Sequence, residues 1–477
     1  DKFKAISDEV IIMTDDGSLG KKGLVTVGIE DIVANEKIDK CITIGPAIMM
    51  KFVALTTKKY NIPTDASLNT IMVDGTGMCG ACRVTVDGKI RFVCVDGPEF
   101  DAHLVDFDEV LTRLRSYNAE ERAAYEAYQN LTNTQPMHSM EEKKHTINED
   151  SSAGCQPTTP DWRKELRASM KAKERVAIPR VKMNELLPQE RVQSMHLEVN
   201  QGLSKEQAIW ESKRCLDCAN PTCVQGCPVN IQIPDFIKHI EVGDIAGAAA
   251  VIKQSSTLPA VCGRVCPQEK QCEGNCVLGK KGEPVAIGKL ERFIGDWVRE
   301  NNIVFDKAVA NNGHKVAVIG SGPSGITCAK ELMMMGYDVT VFEALHEYGG
   351  VLVYGIPAFR LPKETVVRYE IENVQRMGVH FEKDIIIGRT VSIDDLMDKE
   401  GFEAVFIGSG AGLPNFMNIE GENLCGVVSA NEFLTRNNLL FAYKEGYETP
   451  NYVGKKVAVV GGGNVAMDAA RTALRLG

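Results

Sequence analysis

The chain has 477 residues, 44% of them apolar and 25% charged, with a formal net charge of −10. That length exceeds what one hydrophobic core usually serves, so roughly two to four domains are expected. No apolar run approaches the ~18 residues that span a bilayer. Lys and Arg alternate with acids instead of forming a basic stripe, which argues against a nucleic-acid binder and fits a cytoplasmic protein.

Residues 1–70 alternate apolar runs, EVIIMT, LVTVGI and CITIG, with helical stretches such as AIMMKFVALTTKKY, the pattern of part of an open α/β nucleotide-binding domain. Residues 71–130 follow as a small glycine-rich cysteine module and a helix. Its stretch IMVDGTGMCGACRVTVDGKIRFVC sets Cys79, Cys82 and Cys94 around glycine turns with Asp74 just upstream. Either the fourth ligand of a metal site is an oxygen, or Asp74 caps a turn in a degenerate loop. Residues 131–160 are polar and almost free of aliphatic side chains, as in a linker, and Cys155 within them reads as an ordinary thiol.

Residues 161–305 are expected to be helical and carry the densest cysteine array. CLDCANPTCVQGCPVN has the spacing C-x2-C-x4-C-x3-C-P at Cys215, Cys218, Cys223 and Cys227, and CGRVCPQEKQCEGNC adds Cys262, Cys266, Cys272 and Cys276. Tight loops of this kind supply several ligands to a compact iron–sulfur core, and proline after a cysteine is a mark of ferredoxin-like sites. Two zinc sites are the alternative, although structural zinc pairs units of more even spacing. Disulfides fit poorly with 15 cysteines at short fixed spacings in a long chain that opens without a leader.

Residues 306–450 open with KVAVIGSGPSGITCAKELMMMGYDVTVFE, in which Gly320, Gly322 and Gly325, with Pro323 and Ser324, stand between an apolar strand and a helix, and Glu343 ends the next strand. Strand, turn, helix and terminal acid in register predict a dinucleotide site: glycines admit the pyrophosphate, the helix N-terminus stabilises its charge, and the acid accepts from a ribose. Residues 451–477 begin a second such unit, KKVAVVGGGNVAMDAARTAL, with Gly461, Gly463, Asn464 and Ala466. Both ends are expected to be cut: the chain enters a strand almost at once after Asp1 and stops at Gly477 inside a helical pattern.

RCLDCANPTCVQGCPVNIQIPDFI, the second cysteine group and the nucleotide motifs, over about residues 175–477, resemble the small subunit of NADPH-dependent glutamate synthase and its relatives, among them the amino-terminal half of dihydropyrimidine dehydrogenase. The resemblance implies two interleaved 4Fe-4S clusters, one on Cys215, Cys218, Cys223 and Cys276, the other on Cys227, Cys266, Cys272 and the non-cysteine Glu291, with Cys262 nearby. It assigns the first glycine turn to FAD, with Gly349, Gly350, Leu352, Ile356 and Pro357 of YGGVLVYGIPAFRLP touching the flavin, and the second to NADP(H). Residues 10–100 resemble the electron-transfer subunit of dihydroorotate dehydrogenase. That family's four cluster cysteines fall on Asp74, Cys79, Cys82 and Cys94, implying a 2Fe-2S cluster with one oxygen ligand. Its nicotinamide half implies NAD(H) contacts at Asp15, Asp16, Gly17, Ser18, Gly45 and Pro46, with a plain turn at Asp-Gly as the alternative.

The fold expected is therefore α/β multidomain: a ferredoxin-reductase-like nucleotide domain with a 2Fe-2S module, a helical double-4Fe-4S domain, and Rossmann-like FAD and NAD(P)-binding domains. The chain resembles NADH-dependent reduced ferredoxin:NADP oxidoreductase, an electron-bifurcating transhydrogenase, with both its subunits joined. Ferredoxin and nicotinamide nucleotides are the partners implied, together with a further subunit or a flavin barrel ahead of residue 1. Glutamate synthase or dihydroorotate dehydrogenase accessory roles and a non-catalytic electron-transfer scaffold are the rivals. No acid–base dyad or nucleophile is identifiable, and hydride transfer to a flavin needs none.

Overall fold

The computed structural model describes residues 7–132, 161–303, 310–451 and 453–477. The expected linker at 131–160, and Cys155 with it, lies almost wholly outside the described residues. Two units emerge, one of Asp1–Met137 with Gly412–Gly454, the other of His138–Ala411 with Lys455–Gly477.

In the first unit, strand Cys41–Ile44 runs parallel to Thr64–Ser67, which pairs antiparallel with Glu99–Asp101. Helix Ala47–Lys59 makes the crossover between the parallel pair and buries Ala47, Met50, Val53 and Ala54. Its last turn carries Lys58 and Lys59, the charge that suits a helix C-terminus. Strands Arg83–Val86 and Lys89–Phe92 form a hairpin. Asp87 and Gly88 turn it with φ of 51° and 69°, the two positive values that a two-residue turn of matching twist requires and that Asp-Gly supplies cheaply.

Two expected strands differ. In EVIIMT only Met13–Thr14 is paired, against Lys21–Lys22, and Val10 and Ile12 are exposed. The run LVTVGI is helical from Val25 on, at the start of helix Val25–Asn35 with Leu24 as its N-cap. Its β-branched residues suggest a strand, but with EDIVAN behind it Val25, Ile29, Ile32 and Val33 recur at helical spacing, and periodicity over three turns outweighs propensity.

In the second unit four parallel strands lie in the order His380–Glu382, Asp338–Phe342, Lys315–Ile319, Ala404–Ile407. Val318, Ile326, Ala329, Val339 and Val341 pack between this sheet and helix Pro323–Met334. The helical part centres on Phe236, Ile237, Ile240, Ala248, Ile252, Leu290 and Ile294. Helix Lys205–Ser212 starts at a capping box, in which Ser204 Oγ accepts from the Gln207 N–H at 3.2 Å and Gln207 Oε1 accepts from the Ser204 N–H at 2.9 Å. Helices Pro259–Val265 and Ile287–Glu300 cross so closely that a Cβ on Gly263 would stand 2.4 Å from the Arg292 nitrogen. That crossing fixes Cys262 and Cys266 against Glu291.

The apolar run 456–460 before the second glycine turn joins no ladder among the described residues, and Val457 and Val460 are exposed. A parallel strand exists only through its neighbours. The helix after the turn, Asn464–Arg475, forms regardless because its hydrogen bonds are internal. Among the described residues no helix is long and apolar enough to cross a membrane.

Candidate functional site

Cys215, Cys218, Cys223 and Cys276 line one apolar cavity of about 400 Å³, its mouth included, with Ile233, Pro234 and Ile237 of one helix forming its wall. Asp217, with φ of 52°, turns the chain between the first two cysteines. Its buried carboxylate is held by Arg163 at 2.7 Å and Arg167 at 2.6 Å. Lys238, also buried, donates to the Cys215 carbonyl at 2.7 Å and to Glu241 at 2.6 Å. Burial pushes the Cys215 thiol up to about 11. It pushes Cys223 up to about 12, with the neighbouring Cys215 and Cys276 adding to the effect. Thiols pushed up as Cys215, Cys218 and Cys223 are give up their protons readily to a cationic centre, and an iron–sulfur core supplies that charge.

The second set implied by the resemblance is Cys227, Cys266, Cys272 and Glu291. Burial, then Glu291, Glu273 and Cys227, push Cys272 up to about 12. Glu291 is 6% exposed on helix Ile287–Glu300, and its Oε1 has no hydrogen-bond partner. Burial holds its carboxyl well above the usual range, with Cys266 and Glu370 contributing. Cys262 is hydrogen-bonded to Cys266 one turn away, which raises Cys262 and lowers Cys266 to about 7. Cys266 and Cys272 each lie within electrostatic reach of Glu291, and so does Cys262, while Cys227 bears on Cys272. Among the described residues no three His, Cys, Asp or Glu are arranged to hold a single metal ion. Ligands of a polyatomic cluster stand around it, farther apart than the ligands of one ion.

In the first unit Gly75, Gly77 and Gly80 all take left-handed φ, of 69°, 81° and 74°, curling the loop around its own side chains. Cys79 and Cys82 are each 2% exposed, and the Cys82 and Cys94 sulfurs are 3.2 Å apart. Asp74 Oδ1 accepts from the Thr76 N–H at 2.7 Å and its hydroxyl at 3.1 Å, while Oδ2 accepts from the Cys79 N–H at 2.5 Å. Burial and the Asp74 charge raise the Cys79 thiol. The Asp74 charge also bears on Cys82 and Cys94.

At the first nucleotide turn Gly320 has φ of 95°, and a Cβ on Gly325 would lie 1.9 Å from the Gly320 carbonyl, so only glycine lets the helix approach its strand. A Cβ on Gly322 would meet nothing, the opening a pyrophosphate needs; one on Gly350 would strike the Gly322 backbone at 2.9 Å. Pro323 and Ser324 open the helix. Glu343 Oε2 accepts from the N–H and hydroxyl of Ser321, and Oε1 from the Leu345 N–H at 2.9 Å. The Ser321 hydroxyl also accepts from the Gly349 N–H at 2.9 Å, tying the acid to the YGG segment. Leu352 is buried, and Lys363 donates to the carbonyls of Leu352 and Ile356, arching the segment that ends at Pro357.

At the second turn Gly461 has φ of 130°, Gly463 caps the helix that Asn464 begins, and Ala466 approaches Gly461. Asp15, Asp16, Gly17 and Ser18 form the loop between Met13–Thr14 and Lys21–Lys22, where Asp16 accepts from the Ser18 N–H at 2.9 Å. Gly45 and Pro46 lie on a different element, the turn into helix Ala47–Lys59. Sequence reasoning passed over Ser321 and Lys363, which orient the first turn, and Arg83, directly after Cys82. Only Arg83 carried a signal, a charged residue at the start of a strand facing the core.

Residues 191–303 match the family described as dihydropyrimidine dehydrogenase domain II, 4Fe-4S cluster; residues 69–106 match the iron–sulfur cluster binding domain of dihydroorotate dehydrogenase B; and residues 314–477 match pyridine nucleotide-disulphide oxidoreductase. Together these matches make the chain similar to flavin and iron–sulfur oxidoreductases that use nicotinamide nucleotides. Among its relatives, the glutamate synthase [NADPH] small chain of Escherichia coli (strain K12) is 41% identical over 285 residues, 59% of this chain and 60% of that one. The NAD-dependent dihydropyrimidine dehydrogenase subunit PreT of Escherichia coli O157:H7 is 35% identical over 272 residues, 57% of this chain and 63% of that one. The chain thus spans less than two thirds of the length of either. A solved structure of an NADH-dependent reduced ferredoxin-NADP oxidoreductase is 51% identical over 27% of this chain and 46% of that one, with a TM-score of 0.26.

Proposed function

We propose that the chain carries electrons between NADPH, ferredoxin and NAD, as an electron-bifurcating transhydrogenase does. The observation that carries this reading is the union, in one polypeptide, of the double cysteine array and nucleotide turns of the glutamate synthase type with a dihydroorotate dehydrogenase B-type loop whose first ligand position is Asp74. Cys215, Cys218, Cys223 and Cys276 would hold one 4Fe-4S cluster; Cys227, Cys266, Cys272 and Glu291 a second; Asp74, Cys79, Cys82 and Cys94 a 2Fe-2S cluster. Bound at Gly320–Gly325, FAD supplies the change between two-electron and one-electron transfer, and the clusters carry single electrons. The protein's own part is positional. Gly322 leaves room for the pyrophosphate, Ser321 and Glu343 lock the turn, Lys363 shapes the segment Leu352–Pro357, and the Gly461–Ala466 turn would receive NADP(H). Asp15–Ser18 with Gly45 and Pro46 would contact NAD(H).

A glutamate synthase small-chain role is the second reading, favoured by the 41% identity to that protein. Anaerobically purified protein should hold about ten irons, two in the small cluster and eight in two cubanes, and one FAD at the Gly320 turn. NADPH should bleach that flavin, and NADPH oxidation with ferredoxin and NAD present together should exceed the sum of the rates with either alone. Glutamate formation on adding a glutaminase-bearing subunit, without ferredoxin reduction, would decide for the second reading.

A further inference from the structure

Arg83 is 1% exposed, yet its guanidinium is spent on a distant stretch of the chain. Nε donates to Asn423 Oδ1 at 3.2 Å, and Nη2 donates to the carbonyls of Glu422 at 3.2 Å and Val427 at 2.7 Å. Nη1 donates to the Gly80 carbonyl at 3.2 Å, inside the Asp74 loop, and lies 4.0 Å from the otherwise unpartnered Oε2 of Glu432. The Arg83 Cζ lies over the Phe416 ring, 4.8 Å from the centroid. One rigid fork therefore joins the cysteine loop to residues more than three hundred positions away, a task that a planar set of five donors performs and an ammonium does not.

The stretch so held covers the loop. An added Cβ on Gly80 would lie 2.9 Å from Pro414 and 3.1 Å from Phe416, so both rings already rest on that glycine. The Ser429 hydroxyl donates to the Cys79 carbonyl at 2.5 Å, and Asn423 Nδ2 donates to the Thr85 hydroxyl at 3.2 Å. We propose that Arg83 is a positioning residue that clamps residues 412–432 over the Asp74 loop, and that this cover sets the water access and reduction potential of the cluster held there. The second half rests on the reading of that loop as a 2Fe-2S site; the clamp itself does not.

Two variants of the holoprotein separate the cover from the charge. Arg83→Lys keeps a cation but cannot fork, and Phe416→Ala removes part of the cover and leaves Arg83 in place. Both should assemble the small cluster. An EPR-monitored redox titration should show its potential moved upward, because water admitted to the site stabilises the more negative reduced state. An aqueous iron chelator should bleach it about tenfold faster or more, since hydrogen bonds to a charged donor each hold back local opening by roughly that factor. Hydrogen exchange across 412–432 should quicken in Arg83→Lys. Parent potential and chelation rate in both variants, with exchange unchanged, would overturn the proposal. Should Arg83→Lys not assemble, Phe416→Ala alone decides by the same two readouts. Were the parent to show no 2Fe-2S signal, the cluster reading would fall, and exchange across 412–432 in Arg83→Lys would still decide the clamp.

Discussion

Asp74 and Glu291 both stand among cysteines, but they are held in opposite ways. Asp74 lies in a loop of left-handed glycines, and its oxygens accept from two N–H groups and a hydroxyl of that same loop. Glu291 lies on a fourteen-residue helix, 6% exposed, with Oε1 unpartnered. A buried carboxyl oxygen without a hydrogen-bond partner costs roughly 1–3 kcal/mol, and a helix position could carry Leu instead. The local structure accounts fully for Asp74 and does not account for Glu291. Of the two fourth-ligand assignments, Glu291 therefore has the stronger support from the protein alone, and Asp74 must be tested against its own turn.

The largest effect is expected at Glu291. Glu291→Leu fills the site without a ligand atom, so one cubane should be lost and iron should fall by about four per chain, while the cluster at Cys215, Cys218, Cys223 and Cys276 keeps its EPR signal. Full iron content in this variant would return the fourth position to Cys262, the thiol already bonded to Cys266. At Asp74 the expected loss is about two irons, in Asp74→Ala, whereas Asp74→Cys should keep the cluster and shift its potential, since thiolate donates more strongly than carboxylate. If both keep the parent's spectrum and potential, Asp74 is a turn residue and the comparison collapses to one ligand.

Glu370 sharpens the Glu291 side. It is 4% exposed, accepts from the Ala260 N–H at 2.8 Å through Oε1, and leaves Oε2 unpartnered. Burial pushes it up to about 8. A carboxyl that ionises near its ordinary value when unfolded and near 8 when folded binds more protons folded, so its stabilisation is complete below about 4.5 and is lost as pH rises through 8. Glu370→Gln should remove Glu370's share of that slope in urea midpoints taken from pH 5 to 8, worth up to about 1.4 kcal/mol per pH unit. An unchanged slope would mean that Glu370 is not the titrating group.

Much of the cofactor chemistry was legible in the sequence, because spacing alone makes the Cys215–Cys227 loop compact and because Gly320, Gly325 and Glu343 carry a turn whose steric logic is local. LVTVGI was misread because β-branched residues speak for a strand until the following turn is counted. The strand at 456–460 was legible as a pattern, but ladders are made by partners. Arg83 escaped for another reason: it acts through hydrogen bonds to groups more than three hundred positions along the chain, such as Val427, and no window of sequence contains both ends of such a bond. Ser321 and Lys363 bond to groups near in sequence, Glu343 and Ile356, but a serine or lysine near an acid or a carbonyl carries no pattern that marks the bond.

The smallest effect concerns the turn that Asp74 makes in any case. Asp74→Asn keeps one oxygen for Thr76 but turns the other toward Cys79 as an NH2, which cannot accept from that N–H. If capping is the residue's whole task, the cost is one hydrogen bond to a half-buried group, about 1 kcal/mol, and protection of the Cys79 amide in hydrogen exchange should fall by about tenfold or less with the small cluster's potential unmoved. If Asp74 is a ligand as well, the amide must replace a charged donor with a neutral one. The potential then rises along with the loss of protection, because the site carries one negative charge fewer. Exchange and potential measured on the same variant therefore divide the carboxylate's two duties, and a variant that changed the potential while the Cys79 amide stayed fully protected would show that the hydrogen bond from Cys79 contributes nothing to the loop.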